Sequence, residues 1–234
     1  MNTKTDIWID PRTTIKLFST HVIPNAKDNE ELLSLVKLRK YRITAEAWVA
    51  AMYLMALREK HKDINYYLQQ NPLDPPDFFG LGLYMENGIA KGYIKNIEVF
   101  RYVNESQLSL AEEIKKKIDK SYGSDTVLVC HITRSGFKES IGEIGDSLKE
   151  FDSKYEIWIV GGSSSDGNGD QLVAQVFPKI GQLFTFNIPD ILKEKVEYPF
   201  VKRFPMTSLV KSDSLVIEKL GKEVLLTESF ELIE

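Results

Sequence analysis

Asp77 and Glu98 are the residues whose type and setting most clearly admit chemistry. Asp77 closes the rigid segment Asp74-Pro-Pro-Asp77 and opens the apolar run Phe78-Phe-Gly-Leu-Gly-Leu-Tyr84; Glu98 interrupts a second apolar run, Ile97-Glu-Val-Phe100. If the two runs are neighbouring strands, two carboxylates stand on adjacent backbones. That is one way to hold a divalent cation, because hard cations take oxygen ligands.

Other groups have a plainer reading beside the chemical one. His131 follows an apolar run and precedes Arg134, Ser135 and Lys138, where it can donate to a phosphate or move a proton; capping or packing is the structural alternative. His21, His61 and His131 have no metal-ligand spacing. Asp166-Gly-Asn-Gly-Asp170 alternates oxygen ligands as a calcium loop begins, but Phe177 occupies the closing position, so a turn is expected. Gly161-Gly162 lacks the remaining glycines of a dinucleotide loop. Cys130, within Thr126-Val-Leu-Val-Cys130, reads as a buried thiol in a reducing compartment.

The elements that must position these groups follow from periodicity. Ala45, Trp48, Val49, Met52, Met55 and Ala56 recur at helical spacing, and Ala50, Ala51, Tyr53 and Leu54 fill the remaining surface. A helix from Thr44 to about Gln69 is predicted, buried nearly all round in its first half. Asn87-Gly88 predicts a hairpin whose return strand spans roughly Ala90 to Tyr102. A helix beginning near Ser106 or Ser109 turns Leu110, Ile114 and Ile118 inward, with Lys115, Lys116, Lys117 and Lys120 outside. Strands at 126–132 and 155–160 flank a helix at 137–151, an order that implies parallel pairing. A short helix is expected at Glu30–Lys40; before it, Pro11 and Pro24 limit regular structure. Beyond Pro178 the pieces shorten, which divides the chain into a core at 1–178 and an appendage at 179–234.

Between residues 44 and 132 the long helix, Pro76-Asp77, the hairpin, Glu98-Val99-Phe100 and the following helix and strand resemble the PD-(D/E)xK nuclease superfamily. The resemblance implies an α/β fold with a restriction-endonuclease-like mixed sheet flanked by helices and a small C-terminal extension. It also implies divalent-metal-dependent hydrolysis of DNA phosphodiesters, with Asp77 and Glu98 binding Mg²⁺ or Mn²⁺ and Glu46 as a third acid, for which Glu59 and Glu31 compete. The chain departs from the pattern where the family has a lysine, because that position holds Phe100. Arg101 points to the other strand face and stays protonated. Lys91, Lys95 or a lysine of the following helix would have to take the role. The alternative is therefore a nuclease-like module without catalysis that binds nucleic acid or protein. In an ordinary fold Asp77 would accept hydrogen bonds in a turn, and Glu98 would meet Arg101 or Tyr102 at the solvent face.

Composition bounds these readings. With 234 residues, 43% of them hydrophobic, the chain can bury a full core unaided. Its 30 basic and 34 acidic residues leave a net charge of -4, so no global field draws it to nucleic acid. DNA binding then needs a local surface, for which Lys115, Lys116 and Arg134 are the candidates; a solvated helix face is the plain reading of the lysines. A protein partner could dock on the aromatic-rich helix or the appendage. No stretch is long and apolar enough for a membrane span, and the first residues have no signal-like core, so a cytoplasmic protein is expected.

Overall fold

A long helix hydrophobic on every side has to lie inside the protein. In the computed structural model, α3 (Arg39–Lys60) runs between a sheet on one side and α1 (Pro11–His21) on the other. Val49 to Leu57 are all buried, as the residue pattern predicts. The structure describes residues 6–71, 75–86, 89–103, 105–120, 122–123, 125–133, 137–151, 153–162, 169–197, 199–205, 216–219, 222–225 and 228–233. Beyond residue 200 only the backbone is described.

The helix ends at Lys60, nine residues short of Gln69. Asn65–Gln70 is a strand, β2, paired antiparallel with β3 (Phe78–Glu86) and touching β1 (Asp6–Ile9) at Leu68. Two local features favour the break. Glu59-Lys-His-Lys-Asp63 offers no apolar stripe to continue the helix, and Tyr66, Tyr67 and Leu68 are buried consecutively, which a strand covered on both faces achieves.

The mixed sheet carries β1, β2, β3, β4 (Ile89–Tyr102), β5 (Thr126–Ile132), β6 (Glu156–Gly162), β7 (Asp170–Phe177) and β8 (Leu183–Asn187) side by side in chain order. Pairing is antiparallel from β1 to β4, parallel through β4, β5 and β6, and antiparallel again to β8. The parallel steps are bridged by α4 (Leu110–Ile118) and α5 (Ile141–Leu148). Side-chain alternation then builds two cores. Ile97, Val99, Val127, Val129, Trp158 and Val160 pack with α3, whereas Phe100, Tyr102, Leu128, Cys130, Ile157 and Ile159 pack with Leu110 and Ile114 of α4 and Ile144 and Leu148 of α5.

The flanking segments join this sheet. Pro11 occupies the first turn of α1, where a missing N–H leaves no bond unmade, and Asp10 caps it from Arg12 N at 2.8 Å. The early helix expected at Glu30–Lys40 is shorter, α2 (Asn29–Leu35), and Arg39 and Lys40 open α3 instead. From 179 onward, β8 extends the β7 edge and α6 (Ile188–Lys193) lies near α1; β9 (Phe200–Pro205) and β12 (Glu228–Ile233) extend the β1 edge. β10 (Val216–Lys219) pairs with β11 (Lys222–Leu225) and, in parallel, with the start of β4. Among the described residues no helix is long and apolar enough to cross a membrane.

Candidate functional site: a carboxylate pair with a lysine from the neighbouring helix

Strand register brings Asp77 and Glu98 together. Phe78 pairs with Ile97, so Asp77, in the bend just before β3, lies at the Glu98 end of that ladder, and Asn71 N donates to Asp77 O at 3.0 Å on the β2 side. Gly80 faces α3, because a Cβ there would meet Leu54 Cδ2 at 3.0 Å; Ile97 and Val99 face α3 as well. Glu98 therefore faces the opposite side, where the Asp77 charge also acts on Tyr122, the residue bonded to Glu98. Asp77 Oδ2 accepts the Val99 N–H at 2.7 Å, which ties the carboxylate to the backbone of its neighbour strand.

Glu98 is 6% exposed, well inside the protein and away from the solvent face where an ordinary pairing with Arg101 or Tyr102 would leave it. Its partners come from α4 and the turn after it. Lys117 Nζ lies 3.1 Å from Oε1, and the Tyr122 hydroxyl donates to the same oxygen at 2.8 Å. Among the described residues Oε2 is buried with no hydrogen-bond partner. Burial chiefly, then the bond to Glu98 and the negative charges of Glu98 and Asp77, raise the Tyr122 phenol well above its ordinary range.

Lys117 corrects the expected outer face of α4. The helix starts from a reciprocal cap between Ser109 and Glu112 and buries Leu110 and Ile114. Position 117 follows these by seven and three residues, so it falls on the buried stripe. The ammonium also stands 5.4 Å over the Phe100 ring, beside the position where the expected lysine is absent. A cavity of about 650 Å³ adjoins Glu98, lined by Pro75, Pro76, Asn96, Lys120, Tyr122, Gly123 and Thr126.

The remaining candidates lie elsewhere. Glu46 sits on α3 with Arg42 3.6 Å away, and its charge acts on Arg101, which projects to the α3 side and donates to Val36 O at 3.1 Å. The sheet separates it from Asp77 and Glu98. Lys115 and Lys116 are exposed on α4 and engaged with Asp119 at 3.0 Å and Glu113 at 3.8 Å. Arg134 lies outside the described residues, as do Asn87-Gly88 and most of the Asp166–Asp170 loop. His131 pairs in register with Arg101, and its ring centre is 5.4 Å from that of Trp48. Burial, then the Arg101 charge, push its pKa down to about 3, so the ring is neutral near pH 7 and is no proton carrier there. The Cys130 thiol is fully buried, which raises its pKa.

Among the described residues no group of three or more His, Cys, Asp or Glu side chains could share a metal ion. Comparison of the chain with protein-family models, curated proteins and solved structures gives no match. Tyr122, Asn96 and Thr126 were not among the sequence candidates. Lys117 had a legible signal in its spacing from Leu110 and Ile114.

Proposed function

We propose that the protein is a divalent-metal-dependent phosphodiesterase acting on DNA, on a restriction-endonuclease-like version of the mixed sheet. The observation that carries this reading is Lys117, which reaches the Glu98 carboxylate from α4 while Asp77, at the entry to β3, is tied to the adjoining Val99 N–H. The order of α3, the β2–β3–β4 meander, α4 and the parallel strand β5 supports it.

Two neighbouring carboxylates suit Mg²⁺ or Mn²⁺, and Glu98 Oε2, without a hydrogen-bond partner among the described residues, is an oxygen available to such an ion. When bound, the ion would supply Lewis acidity toward a phosphoryl oxygen and a lowered pKa for water. Hydrolysis joins the water oxygen to phosphorus and breaks one P–O bond to a sugar, whose oxygen leaves with a proton. Asp77 is oriented for its part by the Val99 N–H. Lys117 holds Glu98 in place and puts positive charge beside the centre, where phosphate charge must be balanced. Glu46, across the sheet, is outside this two-acid centre.

A second reading, DNA binding without turnover, is favoured by one observation: Glu98 Oε1 is already shared by Lys117 and Tyr122. One experiment separates the two. Purified protein is incubated with single-stranded, duplex and supercoiled DNA in Mg²⁺ or Mn²⁺, beside a D77A/E98A control and Lys117→Ala. Cleavage abolished in both variants supports hydrolysis at this centre. Cleavage undiminished in D77A/E98A overturns it, and salt-dependent binding with no cleavage selects the second reading.

A further inference from the structure

The cavity beside Glu98 has its own polar floor. Asn96 and Thr126 are paired in register where β4 meets β5, so their side chains project from one face. Neither side chain makes a hydrogen bond among the described residues, although both line the cavity and Thr126 is 3% exposed. Gly123 keeps this floor open. A Cβ there would stand 3.1 Å from Asp125 Oδ1, 3.7 Å from Thr126 Oγ1 and 3.9 Å from Asn96 Nδ2, filling the space where three polar groups converge. Pro75 and Pro76 form an apolar wall, and Lys120 stands exposed at the rim.

We propose that this cavity seats one unpaired nucleotide, so that the protein takes its DNA as a single strand or a frayed end. The inference rests on reading Asp77 and Glu98 as a phosphodiester-cleaving centre, and it names the form of DNA that the centre receives. An amide carries both donor and acceptor and matches a base edge, as asparagine does with adenine. The proline wall meets an apolar base face, and Lys120 meets the strand backbone. A volume of about 650 Å³ is that of a small-ligand site, ample for one nucleotide and too small to take in a stacked duplex. A base held in a duplex has to be unpaired before it enters such a pocket, which penalises the double-stranded form.

The test uses a fluorescein-labelled oligonucleotide, alone and annealed to its complement. Anisotropy in Ca²⁺ is measured for the wild type, N96A/T126V and Lys120→Ala, the last at an exposed position that does not endanger folding. Single strands are expected to bind at least about tenfold more tightly than duplex, with each variant losing several-fold of that affinity. Equal affinity for both forms, or single-strand affinity unchanged in both variants, overturns the proposal. Cleavage of the same DNAs in Mg²⁺ keeps the two ideas distinguishable. Duplex cut as fast as single strands, with dependence on Asp77 and Glu98, overturns the pocket and leaves the hydrolytic centre. A single-strand binding preference without such cleavage overturns the centre and leaves the pocket.

Discussion

Breaking the Glu98–Lys117 pair from either side should give unequal losses. The side chains are 8% and 21% exposed and their charged atoms are 3.1 Å apart. At an effective dielectric constant of about 20, that separation corresponds to an attraction of about 5 kcal/mol, most of it offset by taking both groups out of water. Lys117→Met leaves a buried carboxylate with Tyr122 as its remaining side-chain donor, and about 3 kcal/mol of stability should be lost. Glu98→Gln keeps the shape and frees a lysine whose flexible stem can turn outward, so about 1 kcal/mol is expected. The double variant should then be more stable than the summed losses predict, by about 2 kcal/mol. Urea unfolding of the four proteins, followed by far-UV circular dichroism with a shared slope, measures this coupling. Additivity within about 0.5 kcal/mol, or a neutral Lys117→Met, would refute the argument that the pair is buried and interdependent.

Two further outcomes follow from groups away from the carboxylates. His131 titrates at about 3 in the fold against 6.5 ordinarily, so below pH 6.5 the unfolded chain takes up a proton that the native state refuses; stability is complete above that pH and declines toward about 3. Between about pH 6.5 and 4.5 the wild type should lose about 2 kcal/mol more than His131→Gln in urea melts, and parallel stability profiles would contradict this. Asp10, which is 2% exposed, accepts from Arg58 Nη2 at 2.9 Å and caps α1, so Asp10→Ala removes an ion-pair partner and a helix cap together. It should cost about 3 to 4 kcal/mol by the same measurement, and a loss below about 1 kcal/mol would show that Arg58 finds another partner.

Legibility in the sequence depended on how local the signal was. The buried half of α3 and the strands β5 and β6 were readable because each carries its own periodicity. The end of α3 was not, because Ile64, Tyr67 and Leu68 keep helical spacing while the strand that holds Tyr67 and Leu68 depends on β1 and β3. Pro11 suggests a break in regular structure, but after the capping Asp10 it starts a helix. For the site, the nearness of Asp77 to Glu98 was legible because the hairpin register sets the entry to β3 beside that part of β4. Their separation from Glu46 was not, since it depends on which side of the sheet α3 takes. Lys117 fell between the two cases: its spacing marked an inward position, while three consecutive lysines suggested a solvated surface.

β4 serves two cores with alternate residues, Ile97 and Val99 toward α3 and Glu98 and Phe100 toward α4. A slip of one position along this strand would exchange every partner at once. Glu98 would be driven into the apolar packing beneath α3, with neither the Lys117 ammonium nor the Tyr122 hydroxyl in reach. Ile97 or Val99 would face those two polar groups in its place. Misregistered pairings are thus penalised by the same carboxylate that anchors the correct one, and the strand can adopt its native alignment only with Glu98 set against Lys117 and Tyr122.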